Sequence, residues 1–290
     1  MKDRTEHFIE LVRRTATELP PDVFVALERA AAIEEGTAKS ALEMLVKNVA
    51  LAREQSAPLC QDTGAPIFFV RYPRGVAEAD LRRELTAAIR EATARAYLRP
   101  NAVCSITGKN SGDNTGPGVP AFHFHQFEET ERPIEVRLML KGGGSENVSA
   151  QYSLPNSALK AGRNLEGVRR VVVDAVFQAQ GQGCSPGIVG VGIGGSRDTG
   201  FEAAKESLFR PLDDTNPEPA LAELEARLIE DLGQLGIGPM GFGGKTTVLG
   251  VKVAARHRLP ASFFVSVAYT CWALRRNRVT LTGEEVRYDY

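Results

Sequence analysis

The chain has 290 residues, 43% hydrophobic and 24% charged, with a formal net charge of −1 at pH 7. That length buries a core without disulfide or metal staples, and the balanced charge gives no field to draw nucleic acid or an anionic membrane. No apolar run reaches the ~18 residues of a membrane helix, and the charged start Met1-Lys2-Asp3-Arg4-Thr5-Glu6 does not read as a secretory signal.

Residues 5–19 carry Phe8, Leu11 and Val12 at helical spacing, with charges between them. Pro20-Pro21 stops that helix and opens a second over 22–35, which Gly36 ends. Leu42, Leu45, Val46 and Val49 share one face of a third, over 37–53. Then Leu59-Cys60-Gln61-Asp62-Thr63-Gly64 sets a thiol, an amide, a carboxylate and a hydroxyl just before an apolar run, 66–70, that reads as a buried strand. Polar groups fixed at the edge of a rigid element are where chemistry tends to sit. The same residues also suit a polar turn with a half-buried cysteine.

Residues 78–97 alternate charge and alanine in helical period. Residues 99–120, rich in Gly, Asn, Ser, Thr and Pro, read as a long loop, which is uncommon in a compact domain unless functional. Runs 121–126 and 134–140 read as paired strands, the second leading into Lys141-Gly142-Gly143-Gly144-Ser145-Glu146-Asn147. A helix over 165–178, a short buried strand over 187–193, helices over 199–209 and 219–235, and strands over 246–253 and 262–269 follow. From Arg278 the tail alternates, with Val279, Leu281 and Val286 at strand positions. Helices and strands mix without the regular alternation of a doubly wound sheet. The expected fold is mixed α/β in the α+β sense: N-terminal helices over about 1–55, then a mixed sheet with flanking helices, with 1–290 as one domain.

Two glycine motifs invite a nucleotide. Gly190-Val191-Gly192-Ile193-Gly194-Gly195 fits G-x-G-x-x-G, with Asp213 and Asp214 near the distance of a ribose acid. The motif needs a full strand before its first glycine. Here Cys184-Ser185-Pro186-Gly187 stands three residues ahead, so two of the glycines would lie inside the strand. Gly244-Lys245-Thr246 has the look of a phosphate loop, but Pro239 holds the first glycine position and a helix, not a strand, precedes it. Dense glycine still lets backbone approach a ligand closely and leaves amides to donate.

Cys60, Cys104, Cys184 and Cys271 are far apart, which is no disulfide framework and fits a reducing cytoplasm. Scattered cysteines are often small hydrophobes. Three of these, however, lie where loops meet rigid elements: Cys60 before Gln-Asp-Thr-Gly, Cys184 between Gly183 and Ser185-Pro186-Gly187, and Cys271 at a strand end before Trp272.

In order along the chain, Cys60-Gln61-Asp62-Thr63-Gly64, Asn101-Ala102-Val103 with residues 107–114, residues 141–147, 190–195 and 236–241, Gly243-Gly244-Lys245-Thr246-Thr247 and Cys271-Trp272-Ala273 resemble the class I fumarases. The L-tartrate dehydratase α subunit shares many of them. The resemblance implies a fold of the fumarase class I N-terminal type and a 4Fe-4S cluster held by Cys60, Cys184 and Cys271, with one iron not ligated by protein. Cys104 falls where relatives carry another residue and is left out of the ligand set. An open iron is a Lewis acid. The implied reaction is reversible hydration of fumarate to L-malate, with Asp62 and His257 in acid–base work and Gln61, Arg99 and Gly144 contacting the dicarboxylate. An arginine fork suits that substrate.

Two departures from the resembled pattern stand out: Ser185 in place of a proline after Cys184, and Arg258-Leu259 as an apparent insertion before Cys271. Single-chain class I enzymes continue into a second domain that supplies further arginines, a threonine and a lysine. This sequence ends at Tyr290. It therefore resembles an α subunit, implying a chain inactive alone that works with a separate β subunit, as α2β2. Alternatives left open are a dehydratase of tartrate or another hydroxy-dicarboxylate, a non-catalytic iron–sulfur binding subunit, and an NAD-binding oxidoreductase.

Overall fold

The computed structural model describes residues 3–290, so Met1 and Lys2 of the charged start lie outside the described residues. In chain order the elements are α1 (Thr5–Thr17), α2 (Pro21–Ile33), α3 (Gly36–Glu54), β1 (Ala65–Tyr72), α4 (Glu78–Ala94), β2 (Ala121–Gln126), β3 (Ile134–Lys141), α5 (Gly143–Asn147), β4 (Ala150–Ser153), α6 (Leu165–Ala179), β5 (Gly187–Ile193), α7 (Arg197–Ser207), α8 (Pro219–Gly233), β6 (Val248–Ala255), β7 (Phe264–Thr270), β8 (Arg275–Thr282) and β9 (Glu285–Asp289). The fold is mixed α/β, as expected, with two mixed sheets. They belong to two compact units, one of Met1–Pro21, Lys47–Gly143 and Ala273–Tyr290, the other of Asp22–Val46 and Gly144–Trp272. No helix among the described residues is long and apolar enough to cross a membrane.

The first unit is built on a sheet of order β2-β1-β3-β8-β9. Its β1 and β2 are parallel and the other pairs antiparallel. This corrects the expectation that 121–126 pairs with 134–140, because β1 lies between them. Alternation along a strand reports which face is buried, not which strand is the neighbour. A parallel β1–β2 pair needs a crossover, and α4 with the 99–120 loop provides it. One core joins Phe8, Leu11 and Val12 of α1, Leu81, Leu85 and Ile89 of α4, Phe68 and Val70 of β1, and Val136 and Leu138 of β3. Each of these large side chains contributes about 1.5–3 kcal/mol on burial.

In the second unit the order is β4-β7-β5-β6, with β5 and β6 parallel. Both β4 and β5 run antiparallel to β7. Strand β5 reads Gly-Ile-Val-Gly-Val-Gly-Ile, and its side chains alternate between faces. Val189 and Val191 join a core with Val168, Val171, Val172 and Val176 of α6 and Leu228 and Leu232 of α8. The glycines on the other face admit α7: a Cβ on Gly190 would stand 2.1 Å from the Ala204 carbonyl oxygen, and one on Gly192 2.1 Å from that of Gly200. Two neighbouring helices are fixed at their starts by side chains. Asn164 accepts from the Gly167 N–H at 2.8 Å, and Ser196 and Thr199 form a capping box on α7.

Candidate functional site

In the first unit, α3 ends at Glu54 and the chain returns to β1 through a loop pinned at buried Leu59. The Leu59 N–H donates to the Ala16 carbonyl at 3.0 Å, and its own carbonyl accepts from the Asn48 amide at 2.9 Å. Cys60 and Asp62 follow half-buried, and Gln61 exposed. Asp62 Oδ1 accepts from the Gly64 N–H at 3.0 Å and Oδ2 from the Gly143 N–H at 2.8 Å. The carboxylate is thus oriented through both oxygens while lone pairs remain on each. Gly64 has φ +84°, and a Cβ there would lie 2.8 Å from the Leu140 carbonyl carbon. Only glycine fits so close to β3 in that conformation.

The 99–120 loop is anchored by two buried side chains. Thr63 Oγ1 accepts from the Arg99 N–H at 3.2 Å and the Asn101 amide at 2.9 Å. Asn114 accepts from the Asn101 and Ala102 N–H groups, and donates to Thr93 Oγ1 and the Arg99 carbonyl. Arg99 is exposed, with one Nη1 bond, 3.1 Å, to the Gln61 carbonyl. Among the described residues the remainder of its fork makes no hydrogen bond or ion pair, which leaves it placed to meet an anion. Cys104 sits exposed farther along, where the Thr107 hydroxyl and nearby N–H groups hold its thiol below the usual range.

In the second unit, α6 ends in a short 3-10 turn, Gln180–Gly183, and delivers Cys184 in the left-handed region at φ 55°, ψ 64°, with its residue exposed. Cys271 follows the last residue of β7. The pair Ile188↔Thr270 puts the start of β5 against the end of β7, and the Trp272 N–H donates to the Cys184 carbonyl at 3.4 Å. Tyr269 lies against the same turn. A Cβ on Gly183 would fall 2.3 Å from its ring, as would one on Gly187. Burial, and then the Cys271 and Cys184 thiols, push the Tyr269 phenol up. Gly144 belongs to this end too, since a Cβ there would lie 3.9 Å from the Gln182 carbonyl oxygen. Ser185, which replaces a proline of the resembled pattern, is fully buried and donates to the Gly238 carbonyl at 2.7 Å.

His257 stands elsewhere. It lies two residues beyond Ala255, which pairs with Ile193 at the far end of β5, and its carbonyl accepts from the Gly195 N–H at 3.3 Å. The length of β5 separates it from Cys184 and Cys271 by about 20 Å. Within the unit the structure brings Gly144, Cys184 and Cys271 together and leaves His257 apart. The apparent insertion is accommodated in an exposed loop, where Arg258 donates to the carbonyls of Leu259, Pro260 and Ser262.

Neither nucleotide motif is free to serve one. Gly190 and Gly192 admit α7, and Asp214 is bound to Arg210 and Lys252. At the other motif the carboxylate of buried Glu34 accepts from the Lys245 and Thr246 N–H groups, where a phosphate would have to sit.

Sequence reasoning missed Tyr269, Asn114 and Arg275. Arg275 is 2% exposed and donates from Nη1 to the Asp62 carbonyl, holding the backbone of that residue. Its only signal was an arginine inside an otherwise strand-like run. Among the described residues no three His, Cys, Asp or Glu side chains converge as on a single metal ion. An iron–sulfur cluster does not require that, because each thiolate binds a different iron. Two soft sulfur donors brought to one turn, as Cys184 and Cys271 are by the bond from the Trp272 N–H to the Cys184 carbonyl, are the donor type that such a cluster takes.

The sequence model of a family described as fumarate hydratase (fumerase) matches residues 5–280. A provisionally named class I fumarate hydratase of Geobacillus stearothermophilus is 47% identical over 298 residues, covering 100% of this chain and 58% of that protein. A provisionally named L(+)-tartrate dehydratase subunit alpha of Methanocaldococcus jannaschii is 36% identical, covering 92% of this chain and 94% of its own length. The L(+)-tartrate dehydratase subunit alpha of Escherichia coli K12 is 33% identical, with coverage of 97% and 91%. The chain therefore spans little more than half of the first relative and nearly all of the other two.

Proposed function

The chain belongs to the fumarate hydratase family, and on that premise we propose that it is the α-type catalytic part of an iron–sulfur hydro-lyase that interconverts L-malate and fumarate. Both compact units, residues 1–290, serve as one catalytic part in this reading. The carrying observation is the placement of Cys184 and Cys271 side by side on the turn around Tyr269. With Cys60 they are the proposed ligands of a 4Fe-4S cluster. When bound, that cluster supplies a Lewis acid at the iron without a protein ligand, which eases departure of hydroxide.

The chain's own residues do the rest. Arg99 carries a fork free to receive one substrate carboxylate, and its bond to the Gln61 carbonyl fixes where that fork begins. The Gln61 amide and the backbone at Gly144 contact the same dicarboxylate. Asp62, oriented by Gly64 and Gly143, takes the proton from the carbon next to the hydroxyl-bearing one. The electron pair of that C–H bond becomes the second bond of the alkene. Hydroxide leaves the neighbouring carbon and, with a proton, becomes water. In hydration the same groups act in reverse. His257 has no part in this proposal, since its end of β5 is remote from the cysteines.

Relatives named alpha subunits support a separate β subunit, proposed as an α2β2 assembly that completes the site. Four free cysteines suit the reducing cytoplasm proposed as its compartment. Two of the similar proteins carry tartrate in their names, which favours a second reading, dehydration of tartrate. The test reconstitutes the chain with iron and sulfide under anaerobic conditions, adds its β partner, and measures turnover of malate, fumarate and tartrate. Malate–fumarate turnover should dominate, and a preference for tartrate transfers the proposal to the second reading. Asp62→Asn should keep the cluster and lower turnover ~10²–10⁴-fold. Wild-type turnover in that variant would remove Asp62 as the base.

A further inference from the structure

Tyr269 is 1% exposed and sits one residue before the end of β7. Its ring occupies the space that a side chain on either glycine flanking the Cys184 turn would need. A Cβ on Gly183 would come within 2.3 Å of Cε1, and one on Gly187 within 2.3 Å of Cζ and 2.4 Å of the hydroxyl oxygen. The segment from Gly183 to Gly187 is moulded on this ring, with Cys184 inside it. Cys271 lies two residues beyond Tyr269, a spacing that puts both on one side of an extended chain. The Tyr269 N–H donates to Ser149 Oγ at 3.1 Å, and that hydroxyl donates to the Ser145 carbonyl at 3.1 Å. One residue therefore ties the Cys184 turn, through its ring, to the segment after Gly144, through its backbone N–H. A phenol with an ordinary pKa of ~10 is a donor at neutral pH, and hydrogen bonds to the sulfurs are among the main determinants of cluster potential.

We propose that Tyr269 is a positioning residue for the cluster: its ring sets the spacing of Cys184 and Cys271, and its hydroxyl donates a hydrogen bond to a cysteine sulfur that holds iron. The proposal rests on the cluster reading above. Donation withdraws electron density from the sulfur, so its loss leaves the cluster easier to oxidise and harder to reduce.

The test compares the full chain with Tyr269→Phe, which keeps the ring, and Tyr269→Leu, which removes it, each reconstituted anaerobically with iron and sulfide. Circular dichroism of the unloaded chains checks the fold. The readouts are iron and sulfide per chain, the midpoint potential followed by electron paramagnetic resonance during reductive titration, and the half-life of the visible absorbance in air. Tyr269→Phe should hold as much iron as the wild type, with a more negative potential and a several-fold shorter half-life. Tyr269→Leu should hold much less iron. An unchanged potential and half-life in Tyr269→Phe overturns the role of the hydroxyl, and full iron in Tyr269→Leu overturns that of the ring. A wild-type chain that takes up no cluster overturns the cluster reading itself, and this proposal with it.

Discussion

The two ends of β5 use the same residue type for opposite purposes. At its start, Gly183 and Gly187 yield space to the ring of Tyr269, and the turn between them exposes Cys184 beside Cys271. Along its body, Gly190 and Gly192 yield space to the backbone of α7, and the motif-like run ends in a loop that holds His257. Glycine density alone does not separate a ligand site from close helix packing. The atom that would strike the missing Cβ does: an aromatic side chain beside two thiols at one end, helix carbonyl oxygens at the other.

The largest effect that tests this contrast is loss of the cluster. Cys184→Ser and Cys271→Ser, like Cys60→Ser, should each abolish iron retention after anaerobic desalting. Retention of wild-type iron by any of the three removes that residue from the ligand set.

Glycine variants separate the two uses more finely. Gly192→Ala forces a methyl against the Gly200 carbonyl oxygen, and overpacking of this kind costs about 1–3 kcal/mol. Its midpoint in urea should fall, while the chains that remain folded still take up the cluster. Gly187→Ala pushes on Tyr269 instead and should lower iron per chain more than it lowers the urea midpoint. If the two variants behave alike, the ends of β5 do not differ as described.

At the remote end, His257→Asn should leave iron content and the visible spectrum unchanged and turnover within a few-fold of wild type. A fall beyond ~10²-fold, the scale of a lost acid–base group, would return this histidine to the chemistry through the assembly. The smallest effect belongs to Cys104. Its exposed thiol, lowered by Thr107, should react readily with iodoacetamide, while Cys104→Ala keeps full iron.

Much of the local structure was legible in the residues themselves. Helical spacing located α1, α4, α6 and α8, and the closeness of Cys184-Ser185-Pro186-Gly187 to Gly190 weighed against a dinucleotide turn. The stretch from Leu59 to Gly64 was marked by its own chemistry, and Asp62 proves to be held through both carboxylate oxygens. Register and neighbours were not legible. Nothing in residues 121–140 says that β1 separates two strands only a short link apart, because side-chain alternation encodes a face and leaves the partner to be chosen by the rest of the sheet. The short β4 and α5, with little periodicity of their own, were missed for the same reason.

By itself, then, the sequence determined which of the longer segments are helix, strand or glycine-rich turn, and which carry thiols and carboxylates, since these follow from residue type and spacing along one chain. Only the tertiary structure decided that Cys184 and Cys271 meet on Tyr269 while His257 lies a strand length away. That choice depends on antiparallel pairing of β5 with β7 and parallel pairing of β5 with β6, which places residues 87 apart in sequence side by side and carries one only 14 from Cys271 to the opposite end.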